Sequence, residues 1–299
     1  MTNKVGIIGL GVVGTAVGVV LSNKGYEITG VYDKLSESTK VLVERIGCTT
    51  CSSPQEVSRS ADILFITTSD MAIKDVADEL AESGAFHSGQ VVIHMSGSLT
   101  SQVLDGARAF GAFVLSIHPL QSFADVDRAI ANLQGSVFSI EGDREAYAIG
   151  RDIVANLGGE HFIIDRAAKV LYHAGACTVS NYLVTVVDFG IRLLEAAGIP
   201  REQGTRALLP LIQGSVNNIS DVGIPKALTG PIARGDVETV LHHLKALDAK
   251  MPADRLLYAC LGLYTTSIAC AKGTIGSEQK ADFAEILANV IKESLEDKR

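Results

Sequence analysis

Short apolar runs alternate with stretches of helical period along the first half of the chain. The apolar run 4–8 leads into a helical stretch at 12–23, and a β-branched run at 27–32 follows. This rhythm is typical of βαβ units, whose strands pair in a parallel sheet. Further short apolar runs, typical of strands covered on both faces, lie at 62–67, 90–94, 113–117, 136–140 and 161–164, with helices predicted at 70–82 and 144–156.

The pattern changes after residue 165, where nothing further is typical of a strand. Long segments at helical period, joined by Gly and Pro turns, occupy 166–197, 201–219, 236–249, 252–272 and 277–296. We therefore predict an α/β protein, with a Rossmann-type doubly wound sheet in residues 1–165 followed by an all-α C-terminal domain in residues 166–299. The segment 167–197 is apolar around most of its circumference, which predicts a helix buried on all sides, the spine of the second domain and of a homodimer.

Composition excludes several function classes. The 299 residues carry a formal net charge of −8 without a basic stripe, so a nucleic acid is not an expected partner. Five cysteines, an odd number, favour free thiols in a reducing, cytoplasmic compartment. Residues 170–187 are uncharged, but His173, Ser180 and Asn181 would be costly in lipid, so we expect no membrane span. No metal-ligand spacing occurs, and Cys48 and Cys51 lack a second pair, so we expect no metal.

A glycine-rich turn follows the first predicted strand and opens the first predicted helix. Gly9 permits the tight turn, Gly11 lets the backbone approach a pyrophosphate, and Gly14 permits close packing of helix and strand. The free N–H groups and positive dipole of a helix N-terminus favour an anion. The predicted cofactor-binding residues of this turn are Gly9, Leu10, Gly11, Val12, Val13 and Gly14.

Asp33, 19 residues after Gly14, ends the second predicted strand. Its carboxylate is expected to accept hydrogen bonds from the adenine ribose and to repel a 2′-phosphate, so the cofactor is predicted to be NAD(P)(H) with a lean to NAD. Lys34, Ser36, Ser38 and Lys40 follow and leave NADP open. Thr67, Thr68 and Ser96 come just after two other strands, as helix caps, as cofactor contacts, or as both.

Proton-donating side chains occur where the predicted second domain begins. Lys169, His173, Ala176 and Ser180 share one face of a helix, and hydride transfer to a carbonyl needs a proton donor. Arg234 carries a fork suited to a carboxylate, in a turn before the plausible helix cap Asp236. The candidate catalytic residues are Lys169, His173, Ser180, Asn181, His118 and Arg234.

Four segments carry a family resemblance. They are His118-Pro119-Leu120-Gln121-Ser122-Phe123, Lys169-Val170-Leu171-Tyr172-His173-Ala174, Ser180-Asn181-Tyr182-Leu183-Val184-Thr185 and Leu228-Thr229-Gly230-Pro231-Ile232-Ala233-Arg234-Gly235-Asp236. Together they closely resemble a bacterial family that joins a Rossmann-like domain to a helical domain of unknown function. Many members of that family carry Arg near position 33, whereas this chain has Asp33.

More distantly, the chain is similar to the β-hydroxyacid dehydrogenase and ketopantoate reductase superfamily. That resemblance implies that Lys169, at the start of the first helix after the Rossmann domain, acts as general acid. The superfamily often has Asn four residues later, where this chain has His173. The order Arg234-Gly235-Asp236 is loosely similar to the substrate-anchoring motif of ketopantoate reductases, and His118-Pro119 resembles the His-Pro of prephenate dehydrogenases.

Two classes of function follow from these residues. The favoured one is an NAD(P)-dependent oxidoreductase acting on a small carbonyl compound or hydroxy acid, with a ketopantoate-like 2-oxo acid as the expected substrate, bound between the domains. Prephenate-dehydrogenase-like and imine-reductase-like enzymes remain alternatives within that class, because a fold alone does not choose among them. The rival class is a non-catalytic NAD(P)-binding redox sensor.

Overall fold

The first half of the chain forms one seven-stranded sheet, seen in a computed structural model that describes residues 4–296. The strand order is β2-β1-β3-β4-β5-β6-β7, and every neighbouring pair is parallel except β5 with β6. The strands are β1 Lys4–Ile8, β2 Glu27–Tyr32, β3 Ile63–Ile66, β4 Val91–His94, β5 Phe113–Pro119, β6 Val137–Gly142 and β7 Glu160–Ile163. This arrangement confirms the predicted Rossmann-type sheet.

Helices cover both faces of the sheet. They are α1 Val12–Asn23, α2 Ser36–Ile46, α3 Pro54–Ser60, α4 Asp70–Glu82, α5 Asp105–Arg108, α6 Val126–Leu133 and α7 Tyr147–Asn156. Alternate strand residues enter two separate cores: Phe65 packs with the cluster that includes α1, while Leu64 and Ile66 pack with the cluster that includes α4. This period of two explains why the strands are nearly continuous apolar runs.

Strand β6 is the one departure from a parallel sheet. It begins beside the end of β5, with Pro119 opposite Phe138, and the Leu120 N–H donates to the Val137 carbonyl at 2.9 Å. The chain therefore turns back along β5 and runs antiparallel to it. As a result, Glu141 lies directly opposite Ser116.

The second half of the described chain is helical. Its helices are α8 Lys169–Ala196, α9 Arg201–Val222, α10 Val237–Lys250, α11 Arg255–Lys272 and α12 Ser277–Glu296. A core that includes Val240, Phe283 and Leu287 packs α10, α11 and α12 together. Two compact units divide between Tyr182 and Leu183, inside α8. The strands end with Ile163, close to the predicted domain boundary at 165, which stays a prediction.

Helix α8 is exposed over most of its length, and the expectation of a helix buried on all sides is wrong for the single chain. Its most apolar window of 18 residues contains no buried residue, and Val179 and Val184 are 73% and 70% exposed. By length and composition the segment Arg166–Ala196 would suffice to span a membrane. An apolar circumference shows that a helix needs to be buried against another surface, but it does not show whether the same chain supplies that surface.

Candidate functional site

The glycine-rich turn lies where the strand order reverses, between the carboxyl ends of β1 and β3. Ligands of open α/β sheets bind at this position. Gly9 has φ +93°, and a Cβ there would lie 2.5 Å from the Thr68 nitrogen. At Gly14 a Cβ would lie 2.1 Å from the Gly9 carbonyl oxygen, which accepts a hydrogen bond from Thr67 Oγ1 at 2.7 Å. Two glycines and one hydroxyl therefore hold this turn closed on itself.

Gly11 is the open part of the turn. It precedes α1 without a side-chain cap, it is exposed, and a Cβ there would meet nothing within 4 Å. Its φ of −68° and ψ of −167° are conformations that other residues adopt, so backbone strain does not require glycine here. Free N–H groups at a helix start and open space in front of them fit a pyrophosphate. The chain therefore has a cradle for a dinucleotide in which Gly9 and Gly14 build the turn and Gly11 leaves the room.

Asp33 is bound to this cradle by its carboxylate. Oδ2 accepts a hydrogen bond from the Leu10 N–H at 2.6 Å, and Oδ1 accepts one from the Leu35 N–H at 2.8 Å. A carboxylate has about four acceptor positions, so two remain for hydroxyl groups of a ligand. The cavity in front of Asp33 has a volume of about 540 Å³ and is lined by Ile8, Gly9, Gly11, Tyr32, Asp33, Lys34, Leu35, Ser38, Pro54, Thr67, Thr68, Ser69, Ala72, Val76 and Glu79.

A smaller cavity of about 130 Å³ lies beside the ends of β3 and β4. It is lined by Val13, Ile66, Thr67, Thr68, Asp70, Ile73, Met95 and Ser96, and it therefore shares Thr67 and Thr68 with the larger cavity. Ser96 is buried, donates to Asp70 Oδ2 at 2.7 Å and accepts from the Leu99 N–H at 3.1 Å. Ser69 precedes α4 without capping it through its side chain. The cofactor contacts predicted for Thr67, Thr68 and Ser96 stay predictions, but all three border one continuous row of cavities.

Lys169 is completely buried and is the first residue of α8. Its Nζ donates to Ser116 Oγ in the middle of β5. Burial lowers the pKa of Lys169 to about 8, although the negative charges of Glu141 and Asp70 partly offset that effect. An ammonium group with this pKa is protonated at neutral pH and can give up its proton. Lys169 therefore has the properties of a general acid.

Two histidines approach a single glycine near this lysine, and a tyrosine contacts one of them. His118 Nδ1 and the Tyr172 hydroxyl are 2.8 Å apart, and the His118 and His173 rings meet edge to face with centroids 5.9 Å apart. A Cβ on Gly97 would lie 2.5 Å from His173 Nδ1 and 2.7 Å from His118 Nε2. Both nitrogens therefore converge on the Gly97 backbone, and the buried His173 Nδ1 has no partner among the described residues.

The His118 ring is neutral at physiological pH. Burial, followed by the charge of the Lys169 ammonium, lowers the pKa of His118 to about 4. His173 Nε2 lies 3.4 Å from Cys177 Sγ, so its other nitrogen faces Gly97. The structure thus brings three predicted site residues, Lys169, His118 and His173, to the same end of the sheet.

Three further groups belong to this region and were not predicted. His94 is fully buried between the Ser96 N–H and the Thr100 carbonyl, and burial lowers its pKa to about 4. Glu141 is 2% exposed, and Tyr172 contacts His118. The available signal was a charged residue directly after the predicted strand 136–140, since buried carboxylates are rare unless they are paired.

Three other predicted residues are exposed. Ser180 and Asn181 are exposed on α8, and Arg234 is exposed in a short turn of the second unit, so their predicted roles stay predictions. Asp236 caps α10 by accepting the Thr239 N–H at 3.0 Å, as predicted. Ser53 caps α3 by accepting the Glu56 N–H, with Pro54 at the first turn.

All five cysteines are free thiols, in agreement with the composition. Cys48 and Cys51 are partly buried, and burial raises the pKa of both thiols, which disfavours redox chemistry. Within residues 4–296, no group of three or more His, Cys, Asp or Glu side chains is arranged to hold a metal.

Comparisons with solved structures agree with this architecture. A Bacteroides fragilis protein, described provisionally as an NADP oxidoreductase, is 23% identical with a TM-score of 0.71 over 88% of this chain and 98% of its own. A Thermotoga maritima protein is 22% identical with a TM-score of 0.73 over 90% and 99%. An imine reductase from a Pseudomonas species is 18% identical with a TM-score of 0.61 over 89% and 95%. At these identities the likeness shows a shared fold.

Two family profiles match the chain, and the second begins before β6 rather than at the end of the sheet. A Rossmann-like domain matches residues 2–119, and a domain of unknown function, DUF2520, matches residues 136–265. Among proteins with curated descriptions, none matches this sequence. The two profiles agree with the resemblance noted from the four segments. The chain therefore matches a Rossmann-like domain followed by a DUF2520 domain.

Proposed function

We propose that this protein is an NAD(P)H-dependent oxidoreductase that reduces the carbonyl group of a small 2-oxo acid or a related compound, with a ketopantoate-like acid as the expected substrate. One observation carries the proposal: a buried lysine with a pKa of about 8, at the start of α8, donates a hydrogen bond to Ser116 of the sheet that also carries the dinucleotide cradle. Ser116, which binds that lysine, reaches the Ser96 carbonyl at 3.4 Å, and Ser96 lines the cavity shared with the cradle.

The cradle residues would hold the cofactor. Gly11 admits the pyrophosphate to the free N–H groups of α1, and Asp33 accepts hydrogen bonds from ribose hydroxyls. A bound reduced nicotinamide supplies the hydride for the reaction. Thr67 and Thr68 border both cavities, and Val13 borders the smaller one. The cofactor would therefore extend past these three residues from the pyrophosphate towards Ser96.

Lys169 would donate the proton that balances the reduction. When the carbonyl carbon accepts a hydride, its oxygen becomes an alkoxide, and the Lys169 ammonium transfers a proton from Nζ to that oxygen. Ser116 holds Nζ in place and accepts its hydrogen bond. The lysine then regains a proton from solvent. His118 and His173 orient the substrate oxygen or its carboxylate through the ring nitrogens that face Gly97.

A spectrophotometric screen tests this function. The oxidation of NADH and of NADPH at 340 nm would be followed with a panel of 2-oxo acids that includes ketopantoate, and separately with cyclic imines and with prephenate plus oxidised cofactor. Turnover of a 2-oxo acid supports the proposal. Nucleotide binding without turnover of any panel member would instead support the redox sensor, and absence of nucleotide binding would overturn both.

Imine reduction is the second candidate, because two structural neighbours are named as imine reductases and two further neighbouring structures are of a reductive aminase. The electrostatics of the site argue against it. The acceptor in imine reduction is an iminium cation, and a second positive charge on a buried Lys169 would repel it more strongly than a neutral carbonyl. We therefore place carbonyl compounds first, and the same screen decides between the two.

Cofactor choice depends on Asp33, and we propose NADH as the preferred reductant. The Asn variant keeps an oxygen for one backbone N–H but removes the charge that repels a 2′-phosphate. Asp33→Asn is expected to lower the ratio of kcat/KM for NADH to that for NADPH by roughly tenfold, which corresponds to about 1.4 kcal/mol. The measurement is steady-state kinetics with each cofactor.

Glu79→Gln is the matched control for Asp33. It also removes a carboxylate from the lining of the larger cavity, but Glu79 accepts its hydrogen bond from Gln55 and makes none to the cradle. This control should leave the cofactor ratio unchanged. An unaltered ratio in Asp33→Asn would show that Asp33 does not face the ribose. For the wild-type protein the competing outcome is a preference for NADPH, because the neighbouring B. fragilis protein is described as an NADP oxidoreductase.

We also propose that the protein is a water-soluble homodimer in which α8 and α9 face a second copy. Gly204 is the single buried residue among those described in α9, where Leu211 is 65% exposed. Asp188 and Arg192 form an ion pair within α8, which disfavours lipid as the cover.

Light scattering during gel filtration tests the dimer. Val184→Asp, which places a charge on the exposed apolar part of α8, is expected to convert a particle of twice the chain mass into a monomer or an aggregate. Met71→Asp is the matched control, because Met71 is 90% exposed on α4. A monomeric wild-type protein would contradict the proposal.

A further inference from the structure

Glu141 is a buried carboxylate that none of the steps above uses. Its Oε2 accepts the Ser101 N–H at 2.7 Å, and its Oε1 accepts Ser101 Oγ at 2.8 Å and Arg166 Nε at 3.2 Å. The two partner residues come from different parts of the chain, since Ser101 follows β4 and Arg166 precedes α8. A carboxylate with this many partners is a junction between the sheet and the first turn of α8.

The position of Glu141 in β6 brings it close to the candidate acid. Glu141 lies opposite Ser116 in the antiparallel β5–β6 pair, and Ser116 accepts the hydrogen bond of Lys169. Arg166 is three residues before Lys169, in the helical turn Arg166–Ala168 that leads directly into α8. The Glu141–Arg166 contact therefore holds the same turn from which Lys169 extends.

We propose that Glu141 is the positioning residue of this site: it anchors the start of helix α8 to the sheet and supplies the buried negative charge that keeps Lys169 protonated. The inference rests on the proposed function, in which Lys169 is the acid. Glu141 itself lines neither of the two cavities at the cradle.

Charged and titratable groups face Lys169 from every element around it. These are Asp70 in α4, His94 in β4, His118 in β5 and Glu141 in β6, and Arg166, before α8, pairs with Glu141. Glu141 and Asp70 are the two anions among them, and Asp70 is exposed whereas Glu141 is 2% exposed. Solvent screens a buried charge least, so Glu141 should have the larger effect on the ammonium group.

The test compares Glu141→Gln with Asp143→Asn. Asp143 is a well-matched control, because it lies two residues further on, accepts the Val114 N–H at 2.9 Å and binds Arg108 through both oxygens. Both variants therefore remove a carboxylate that holds one arginine and one backbone N–H. Only Glu141 is among the charges that act on Lys169.

The readout that needs no substrate is the titration of Lys169 itself. In protein labelled with ¹³C at the lysine ε-carbon, the Lys169 signal is identified by its loss in Lys169→Met and followed by NMR across pH. Glu141→Gln is expected to move the midpoint down by about one pH unit, because the neutral amine gains when the anion is lost. Asp143→Asn should leave it in place. Equal midpoints in Glu141→Gln and wild type would overturn the proposal.

Kinetics then separate this inference from the proposed function. The fall in reductase activity at high pH should move to lower pH in Glu141→Gln, with kcat reduced and KM for the nucleotide unchanged. Without any reductase activity the proposed function fails, while the NMR titration still decides the role of Glu141.

If Glu141→Gln does not fold, Arg166→Gln takes its place in the NMR titration. Arg166 pairs with Glu141 and offsets its charge, so this variant should raise the Lys169 midpoint, and a lower or equal midpoint would contradict the proposal.

Discussion

Lys169→Met is expected to lower the rate of carbonyl reduction on the order of 10²- to 10⁴-fold, the range that a positioned general acid contributes. Nucleotide affinity should be unchanged, because Lys169 does not line the cavity at the cradle. Thermal stability should be equal or higher, since methionine replaces a buried charge with an apolar chain of similar length. Single-turnover kinetics, nucleotide titration and the melting temperature measure the three quantities.

The pH dependence gives the same prediction a second readout. The protonated lysine is the active form, and its pKa is about 8, so the rate of reduction should fall as pH rises through about 8. This limb should be absent from the residual activity of Lys169→Met. Lys74→Met, which removes an exposed lysine paired with Asp78, serves as the control and should retain both rate and pH profile. Wild-type turnover in Lys169→Met would remove Lys169 from the mechanism.

Gly11→Asp should separate binding from folding. Aspartate is among the best helix N-cap residues, and its charge interacts favourably with the helix dipole, so the free energy of unfolding should stay the same or increase. The same charge would occupy the space in front of the free N–H groups and repel a pyrophosphate. We expect the Kd for the nucleotide to rise by roughly a hundredfold or more, equivalent to about 2.7 kcal/mol, as measured by calorimetry.

Two further glycine variants act as controls for Gly11→Asp. Gly11→Ser introduces the Cβ and a hydroxyl without charge, and the difference between the two variants measures the electrostatic part. Gly14→Ala should instead lose stability, because its Cβ would lie 2.1 Å from the Gly9 carbonyl oxygen. Wild-type affinity in Gly11→Asp would place the nucleotide elsewhere on the protein.

Local patterns in the sequence predicted most of the first domain. The turn at Gly9 to Gly14 was recognisable because a strand precedes it, a helix follows it and Asp33 comes one strand later. Helix α1 and strands β1 and β2 have the predicted bounds, since apolar periodicity directly reports which residues face a core. The helices of the second half follow from the same signal.

What the sequence did not reveal depends on pairing between distant residues. Glu141 follows the predicted strand by one residue, and its partner Ser101 is 40 residues away. Periodicity shows the face on which a residue lies but not the residue across from it, so neither this contact nor the antiparallel direction of β6 was predictable. The exposure of α8 was misjudged for a related reason, because composition reports the need for burial and not its source.

The two buried imidazoles near Lys169 affect what is expected on the acidic side of the pH profile. His94 and His118 each acquire a proton only near pH 4, so neither becomes a cation beside the Lys169 ammonium between pH 5 and pH 8. Acidification within that interval therefore brings no new repulsion from either ring. With respect to these two groups, the rate should form a plateau with a single alkaline edge rather than a bell.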